Sequence, residues 1–180
     1  MTIPEWVPDA IFYQIFPDRF RNGDTSNDPP VVLPWDRAAT PKGFHGGDLA
    51  GVTHSLDYLL DLGVNAIYLN PIFLSPTNHR YNTVDYYRID PKLGTLSDFQ
   101  TLIQEAHRRQ IRVVLDGVFN HCGRGFFAFN DILENGEHSP YLDWFHIKHL
   151  PVDAYSHHEL KDYEGWWNYK SLPKFNTANP

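Results

Sequence analysis

The stretch RVVLDGVFNHCGRGFF (residues 112–127) starts as an apolar run and ends in polar side chains. Its β-branched residues are typical of a strand covered on both faces in a parallel sheet, and we predict that strand over 111–119. Asp116 lies where the strand runs out, and Asn120 and His121 follow it. Such a carboxylate can hold a cation or orient a basic side chain, and such an imidazole can donate to a ligand hydroxyl. The alternative is an Asp that caps turn amides beside a His that only packs.

Two similar apolar runs precede this one, and they predict strands over 10–16 and 64–70. Between the three strands, apolar residues recur at helical spacing over 52–62 and 96–110, which predicts two amphipathic helices. The order β-α-β-α-β indicates a parallel sheet with right-handed crossovers. Two architectures of the α/β class remain open at this point, a doubly wound sheet and a (β/α) barrel.

Local signals mark the ends of the two predicted helices. Thr95 and Asp98 have the spacing of a capping box at the start of the second helix. Gly63 follows the first helix and can close it in the left-handed conformation.

The segments that leave the strands are much longer than those that enter them. They cover 17–51, 71–95 and the chain from 120 onward. All of them follow the carboxyl ends of strands, where barrel enzymes and open α/β enzymes both build their sites. The third segment is dense in Gly, His, Asn, Trp and Tyr, and we predict an irregular excursion or an inserted subdomain there.

The composition argues against several classes of partner. No apolar run approaches the roughly 18 residues of a membrane span, and the start MTIPEWVPDA lacks the pattern of a signal peptide, so we expect a cytoplasmic protein. A net charge of −7 argues against nucleic acid or an anionic membrane as partner. Aromatic residues make up 15% of the chain, and many lie beside Asp, Asn and His. Such segments suit sugars, although most of these rings are expected to fill the core.

The segment FRNGDTSNDPP (20–30) concentrates hard oxygen donors on a short loop. Its donors are Asn22, Asp24, Asn27 and Asp28. Calcium takes about six to eight such oxygens in forgiving geometry, so a calcium site is one interpretation. An EF-hand is excluded because Asn27 stands at the glycine position of that motif. The other interpretation is an Asx-rich turn whose side chains cap their own backbone.

Two further motifs allow a functional and a structural interpretation. The segment 70–91 carries His79, Tyr81 and more aromatics, which either stack on a ligand or pack against neighbouring loops. GRGFFA (123–128) matches a dinucleotide-binding fingerprint, but three residues separate it from the strand and no convincing helix is predicted after it. Cys122, the single cysteine, cannot form an internal disulfide and is expected to be a small, half-buried residue and not a nucleophile.

Five motifs in order carry a family resemblance: DAIFYQIFPDRFRNGD, GGDLAGV, LGVNAIYLNPIF, YNTVDYY and DGVFNH. Together they resemble the α-amylase family of glycoside hydrolases, closest to its cyclomaltodextrinase- and neopullulanase-like branch. The resemblance implies the N-terminal portion of a (β/α)8 TIM barrel. Residues 1–121 would form its first three β/α units. Residues 122–180 would form the subdomain inserted after the third strand, called domain B, and its exit.

The resemblance also implies site residues. A Ca²⁺ ion would be held in the first loop by six residues: Asn22, Asp24, Asn27, Asp28, Gly46 through its carbonyl, and Asp48. Tyr81 would stack on a glucose unit, His79 would lie beside it, and His121 would hydrogen-bond that sugar's primary hydroxyl. Asp116 would support catalysis by positioning an arginine. Asn120 is expected to tie the strand end to the inserted subdomain.

The reaction implied is retaining hydrolysis of α-1,4-glucosidic bonds in starch-type oligosaccharides, maltodextrins or cyclodextrins. In the family the nucleophile and the acid/base lie at later strands than the three found here. We therefore expect an N-terminal fragment that is inactive alone and poorly stable because its third strand leaves an unpaired edge. Two other classes remain open: a non-catalytic or vestigial glucan-binding module, and a nicotinamide-dependent oxidoreductase.

Overall fold

A computed structural model describes residues 2–179 of the chain, with five strands and four α-helices in that range. The strands are β1 (Phe12–Ile15), β2 (Ala66–Leu69), β3 (Phe73–Leu74), β4 (Asp85–Ile89) and β5 (Arg112–Leu115). The helices are α1 (Leu49–Thr53), α2 (Leu56–Asp61), α3 (Leu96–Arg108) and α4 (Phe127–Asn135). Within residues 2–179 no helix is both long and apolar enough to cross a bilayer.

The central sheet is parallel and has the order β1-β2-β5. Phe12 lies opposite Ala66, and Ala66 lies opposite Arg112, so each strand pairs with the next strand of the predicted β-α-β-α-β series. The three predicted strands are confirmed, with shorter bounds. This sequential order is that of the first strands of a (β/α) barrel, and it excludes the 2-1-3 start of flavodoxin-like sheets.

The structure corrects the expectation that these strands are buried on both faces. β2 is almost wholly buried, but Phe12 on β1 is 49% exposed and Leu115 on β5 is also exposed. The reason is that β1 and β5 are the two edge strands of this sheet within the described residues. A continuous apolar run indicates that a strand can be buried on both faces, but it does not show whether the strand lies at the centre or at the edge of the sheet.

The helix predicted over 52–62 is two helices, α1 and α2, with a break at Ser55. Ser55 leaves the helical conformation, and its hydroxyl donates to the carbonyl of Gly51 at 2.8 Å. Serine hydroxyls compete with the backbone in this way, so the break has a local cause. Gly63 adopts a φ of 81° after α2, which confirms the predicted left-handed end.

The capping box of α3 is confirmed in both directions. The Thr95 hydroxyl accepts from the amide of Asp98 at 3.2 Å, and the Asp98 carboxylate accepts from the amide of Thr95 at 2.6 Å. Apolar residues of the helices pack with those of the sheet into one buried cluster. Its members include Leu49, Val52, Leu56, Leu59, Ile67, Leu69, Leu102 and Ala106.

The described chain divides into two compact units. The first contains the residues up to Ile72 together with Arg88–Asp116, and the second contains Phe73–Tyr87 and the residues from Gly117 onward. This differs from the predicted division at 121/122, because the segment 73–87 belongs with the C-terminal part. The second unit has its own aromatic core, built around Phe129, Phe145 and Tyr163.

Two elements of the structure were not predicted. β3 pairs with β4 inside a segment expected to be a loop, and α4 lies in the part expected to be irregular. β3 has only two residues, which is too short to show a strand pattern. α4 starts after Phe126 without a side-chain cap, so the usual start signal of a helix is missing.

The capping box gives a first test of the fold. We expect Thr95→Ala to lower the free energy of unfolding by about 0.5–2 kcal/mol, because the amide of Asp98 loses its acceptor. Urea unfolding followed by circular dichroism measures this. Thr101→Ala, on the exposed side of the same helix, is the matched control and should have a smaller effect, because its hydroxyl only bonds the Ser97 carbonyl one turn back. Equal effects of the two substitutions would contradict the capping role.

Candidate functional site

The segment that carries His79 and Tyr81 is held by its own hydrogen bonds. The Ser75 hydroxyl donates to the Asn82 side chain at 2.7 Å, and the Thr83 hydroxyl donates to the carbonyl of Arg80 at 3.1 Å. Arg80 is buried and takes a φ of 60°, a backbone conformation that residues other than glycine rarely adopt. Hydrogen bonds on both sides of Tyr81 therefore hold the loop that carries it.

His79 and Tyr81 form a stacked pair within this loop. Their ring centroids are 6.0 Å apart at an interplanar angle of 25°, and the Tyr81 amide donates to Nδ1 of His79 at 3.1 Å. Burial, and then the charge of Arg80, lower the pKa of His79. The predicted neighbours are thus brought together, with a neutral imidazole lying against the tyrosine ring.

His121 is linked to this pair through the backbone. Its Nε2 lies 3.0 Å from the carbonyl of Tyr81, and its Nδ1 lies 3.2 Å from the side-chain amide nitrogen of Asn120. A carbonyl can only accept and an amide NH₂ can only donate, so Nε2 carries the proton and Nδ1 accepts. Burial lowers the pKa of His121, and the Tyr81 carbonyl partly offsets this effect. Both ring nitrogens are engaged, so a sugar hydroxyl that donates to Nδ1 would compete with Asn120.

Tyr86, one of the aromatics of 70–91 expected either to stack on a ligand or to pack, fixes the backbone at His121. Its hydroxyl donates to the carbonyl of Val118 at 2.6 Å and lies 3.2 Å from that of His121. Burial raises the pKa of Tyr86 strongly, so the phenol keeps its proton. The neighbouring Tyr87 is exposed. The sequence alone does not show which of the two tyrosines is buried, since this depends on the tertiary structure.

Asn120 connects to the end of the described chain. Its carbonyl accepts from the amide of Phe175 at 3.0 Å, and His121 forms an antiparallel bridge with Lys174. The expected tie between Asn120 and the residues after 122 is therefore present.

Asp116 belongs to the first compact unit, whereas His79, Tyr81 and His121 belong to the second. Its amide donates to the carbonyl of Leu69 at 3.0 Å, and its carboxylate accepts a hydrogen bond from the hydroxyl of Tyr68. Burial, followed by this hydrogen bond and the charge of Asp116, raises the pKa of Tyr68. Asp116 thus acts on a neighbouring strand, and its role toward an arginine stays a prediction.

The oxygen-rich loop of the first unit brings its predicted donors close together. Asp28 Oδ1 accepts from the side-chain amide of Asn22 at 2.7 Å. A Cβ atom on Gly46 would collide with that Asp28 oxygen and with the Asn22 amide, and Gly46 takes a φ of 75°. Both observations explain why a glycine stands there, since its backbone approaches the cluster closely.

Asp48 ties the same loop to the start of α1. Its carboxylate accepts from the amides of Gly23, Asp24 and Gly51 at 3.0, 2.8 and 2.6 Å, and from the side-chain amide of Asn27 at 3.1 Å. Asp24 is exposed and caps Ser26, whose hydrogen bonds lower the pKa of Asp24. These contacts agree with the interpretation of the loop as an Asx-rich turn whose side chains cap the backbone. Asp48 also joins the loop to the start of α1.

Two atoms of the loop favour a cation. Oδ1 of Asn22 and Oδ1 of Asn27 are buried and have no hydrogen-bond partner. A buried carbonyl oxygen without a donor is costly, and a bound cation would satisfy it. No cluster of three or more His, Cys, Asp or Glu side chains suited to a metal occurs within residues 2–179. Three of the six predicted donors are the side-chain oxygens of Asn22 and Asn27 and the carbonyl of Gly46. These are not His, Cys, Asp or Glu side chains, so a cluster of those four types would not include them.

The dinucleotide-binding interpretation of GRGFFA does not agree with the structure. A helix, α4, does follow the motif, contrary to our expectation. However, the amides of Cys122 and Gly123 donate to the carbonyls of Pro173 and Thr83 at 3.0 and 2.7 Å, so they are not available to a phosphate. Cys122 is fully buried, whereas a half-buried position was expected, and burial raises the pKa of its thiol.

The sequential parallel sheet is that of the first strands of a (β/α) barrel. The chain belongs to the α-amylase family: the model of the α-amylase catalytic domain matches residues 14–179. The predicted family is thereby confirmed, and a nicotinamide-dependent oxidoreductase is ruled out as the family.

Similar proteins confirm the predicted branch of the family. Neopullulanase 2 of Thermoactinomyces vulgaris is 50% identical over 99% of this chain and 31% of its own length. A cyclomaltodextrinase of Bacillus sp. is 52% identical over 98% of this chain and 32% of its own length. The solved structure of cyclic α-maltosyl-(1→6)-maltose hydrolase from Arthrobacter globiformis, in complex with that sugar, has a TM-score of 0.93 and 48% identity. It is matched over 100% of this chain and 40% of its own. The chain spans about a third of the length of the curated relatives it matches.

The lowered pKa values of His79 and His121 predict how stability depends on pH. Folding favours their neutral forms, so below pH 6.5 the unfolded chain binds more protons than the folded chain. Their contribution to stability is complete above pH 6.5 and is lost as the pH falls through the lowered pKa values. Urea unfolding across this range measures it, and His121→Gln should give a shallower dependence than the unchanged chain. An NMR titration in which His121 gained its proton above pH 6.5 would contradict this.

Proposed function

We propose that this chain forms part of an enzyme that hydrolyses α-1,4-glucosidic bonds in maltodextrins, cyclodextrins or related starch-type oligosaccharides, with retention of configuration. The observation that carries the proposal is the linked arrangement of His79, Tyr81 and His121 in a member of the α-amylase family. A similar structure holds cyclic α-maltosyl-(1→6)-maltose, which supports an α-glucan as the ligand.

In this proposal Tyr81 stacks on the apolar face of a glucose unit, since a ring flanked by polar groups suits a sugar. His79 supports the tyrosine ring from one side, and the neutral His121 hydrogen-bonds the primary hydroxyl of the same sugar. The hydroxyl donates to Nδ1 and displaces the side chain of Asn120. Tyr86 keeps the backbone at His121 in place during this exchange, because its hydroxyl is held by two carbonyls.

Retaining hydrolysis requires a nucleophile and an acid/base whose carboxyl groups lie about 5–5.5 Å apart. We assign neither role to a residue of this chain, and we propose that both groups lie outside these 180 residues. Asp116 is a positioning residue in this scheme. The residues from 122 onward form the subdomain inserted after the third barrel strand. The stretch 1–180 therefore binds α-glucans without cleaving them.

Binding of maltoheptaose tests this proposal. By isothermal titration calorimetry, Tyr81→Ala should weaken binding about ten-fold, because truncating an aromatic side chain at the centre of a binding site costs on the order of 1–2 kcal/mol. Tyr87→Ala is the matched control, since Tyr87 lies nearby in sequence but is 96% exposed and has no role in the proposed site. Absence of binding by the unchanged chain would overturn the proposal. Release of reducing sugar by residues 1–180 alone would refute the assignment of catalysis to residues outside this stretch.

We also propose that the first loop binds Ca²⁺. The unpartnered oxygens of Asn22 and Asn27, together with the Asp28 carboxylate and the Gly46 carbonyl, supply hard donors from one small region. Asp24 and Asp48 complete the proposed set, although Asp48 already accepts four hydrogen bonds within the chain. The ion would hold the loop, and no catalytic step is assigned to it.

Calcium titration by calorimetry tests this second proposal. Asp28→Asn removes the charge next to Asn22 and should abolish the binding heat, whereas Asp36→Asn, at an exposed position of the same long segment, should not change it. At a calcium concentration of 100 times Kd, the unchanged protein should gain about 2.7 kcal/mol of stability, and Asp28→Asn should gain none. Equal binding heats for Asp28→Asn and the unchanged protein would exclude the site.

A further inference from the structure

A tight turn in the second unit presents two neighbouring tryptophans. Gly165 forms an antiparallel bridge with Pro173, and the amide of Trp166 donates to the carbonyl of Leu172 at 2.9 Å. The turn is closed further by the amide of Tyr169, which donates to Trp166 at 3.0 Å. Trp167 stands at its tip with 79% of its surface exposed. Trp166 and Tyr169 are exposed beside it, and a contiguous exposed apolar patch of this kind marks an interaction site.

The backbone at the tip is in an unfavourable conformation. Trp167 and Asn168 take φ values of 50° and 61°, in the left-handed region that favours glycine. A Cβ atom on Gly165 would collide with the carbonyl of Tyr169, so the turn is also closely packed. Strained conformations of this kind persist where the surrounding structure imposes them, and they concentrate at ligand-binding positions.

The two indoles continue a stack that starts at the proposed sugar site. Trp167 and Trp166 are stacked with centroids 5.2 Å apart and an interplanar angle of 22°. Trp166 is stacked in turn on His121 at 5.2 Å and 24°. The rings of His121, Trp166 and Trp167 therefore stack in succession and lead from His121 to an exposed outer ring.

We propose that Trp166 and Trp167 form an additional subsite, in which the exposed indole of Trp167 stacks on a glucose unit of an α-glucan chain that extends beyond the unit bound at Tyr81. The flat indole offers the apolar face that a pyranose ring requires, and the adjoining Asn168 and Tyr169 are exposed and can bond its hydroxyls. The inference rests on the proposed function. In addition, it gives the turn at 165–169 a specific role, the binding of a second glucose unit in oligosaccharides that extend past the one at Tyr81.

Calorimetry with maltoheptaose tests the subsite. Trp167→Ala should weaken binding about 5-fold, the change that a loss of about 1 kcal/mol makes, because one aromatic contact to an outer sugar unit is removed. Trp167→Phe should retain most of the affinity, because the phenyl ring still stacks. Trp35→Ala is the matched control, since Trp35 is an exposed tryptophan of the first unit, and it should leave the affinity unchanged.

Tryptophan fluorescence gives a second measurement that does not depend on the alanine variant being folded. Saturating maltoheptaose should shift the emission of the unchanged protein to shorter wavelength, and Trp167→Phe should lose this shift. Unchanged affinity in Trp167→Ala, or an unchanged shift in Trp167→Phe, would overturn the subsite. If Tyr81→Ala still weakened binding in that case, the proposed function would stand without it. If maltoheptaose did not bind the unchanged protein, both would fail.

Discussion

In a parallel sheet the carboxyl ends of neighbouring strands lie at one edge, and the pairing of β1 with β2 and of β2 with β5 imposes this constraint here. The side chains of Gln14 and Asn70 meet at that edge, where the Gln14 amide donates to Asn70 at 2.8 Å. The oxygen-rich loop and Asp116 both follow strands that end there. Every functional segment of the first unit therefore depends on the register of three short strands.

The second unit reaches its order by different means. It has little regular structure, so hydrogen bonds from side chains to the backbone hold its segments together. The Tyr86 hydroxyl secures the chain at Val118 and His121, and the Tyr163 hydroxyl donates to the carbonyl of Lys170 at 2.6 Å. Buried tyrosines suit this task because the ring adds apolar contact while the hydroxyl satisfies a carbonyl. A site on irregular chain can thus be preorganised before a ligand binds.

The sequence predicted what local chemistry determines. The capping box at Thr95 and Asp98 and the left-handed glycine at Gly63 were both readable, because each depends on residues close in the chain. The break at Ser55 was missed because the apolar spacing continues across it, and α4 was missed because Phe126 gives no start signal. The same limit applies to the sites. His79, Tyr81 and His121 were named from family motifs, whereas Tyr86 and Trp166 act through contacts between residues far apart in the chain.

Asp48 carries a consequence for the energetics of the first loop. Its one carboxylate is the acceptor for the start of α1 at Gly51 and for the loop at Gly23, Asp24 and Asn27. A cation coordinated by Asp48 would have to displace at least one of these donors. The free energy of ion binding and the stability of the start of α1 would therefore be coupled. Such coupling is reciprocal: a change that loosened the helix start would alter the affinity for the ion by the same factor as the ion alters the helix. The fraction of loops that hold an ion would then depend on the stability of the start of α1 as well as on the metal concentration.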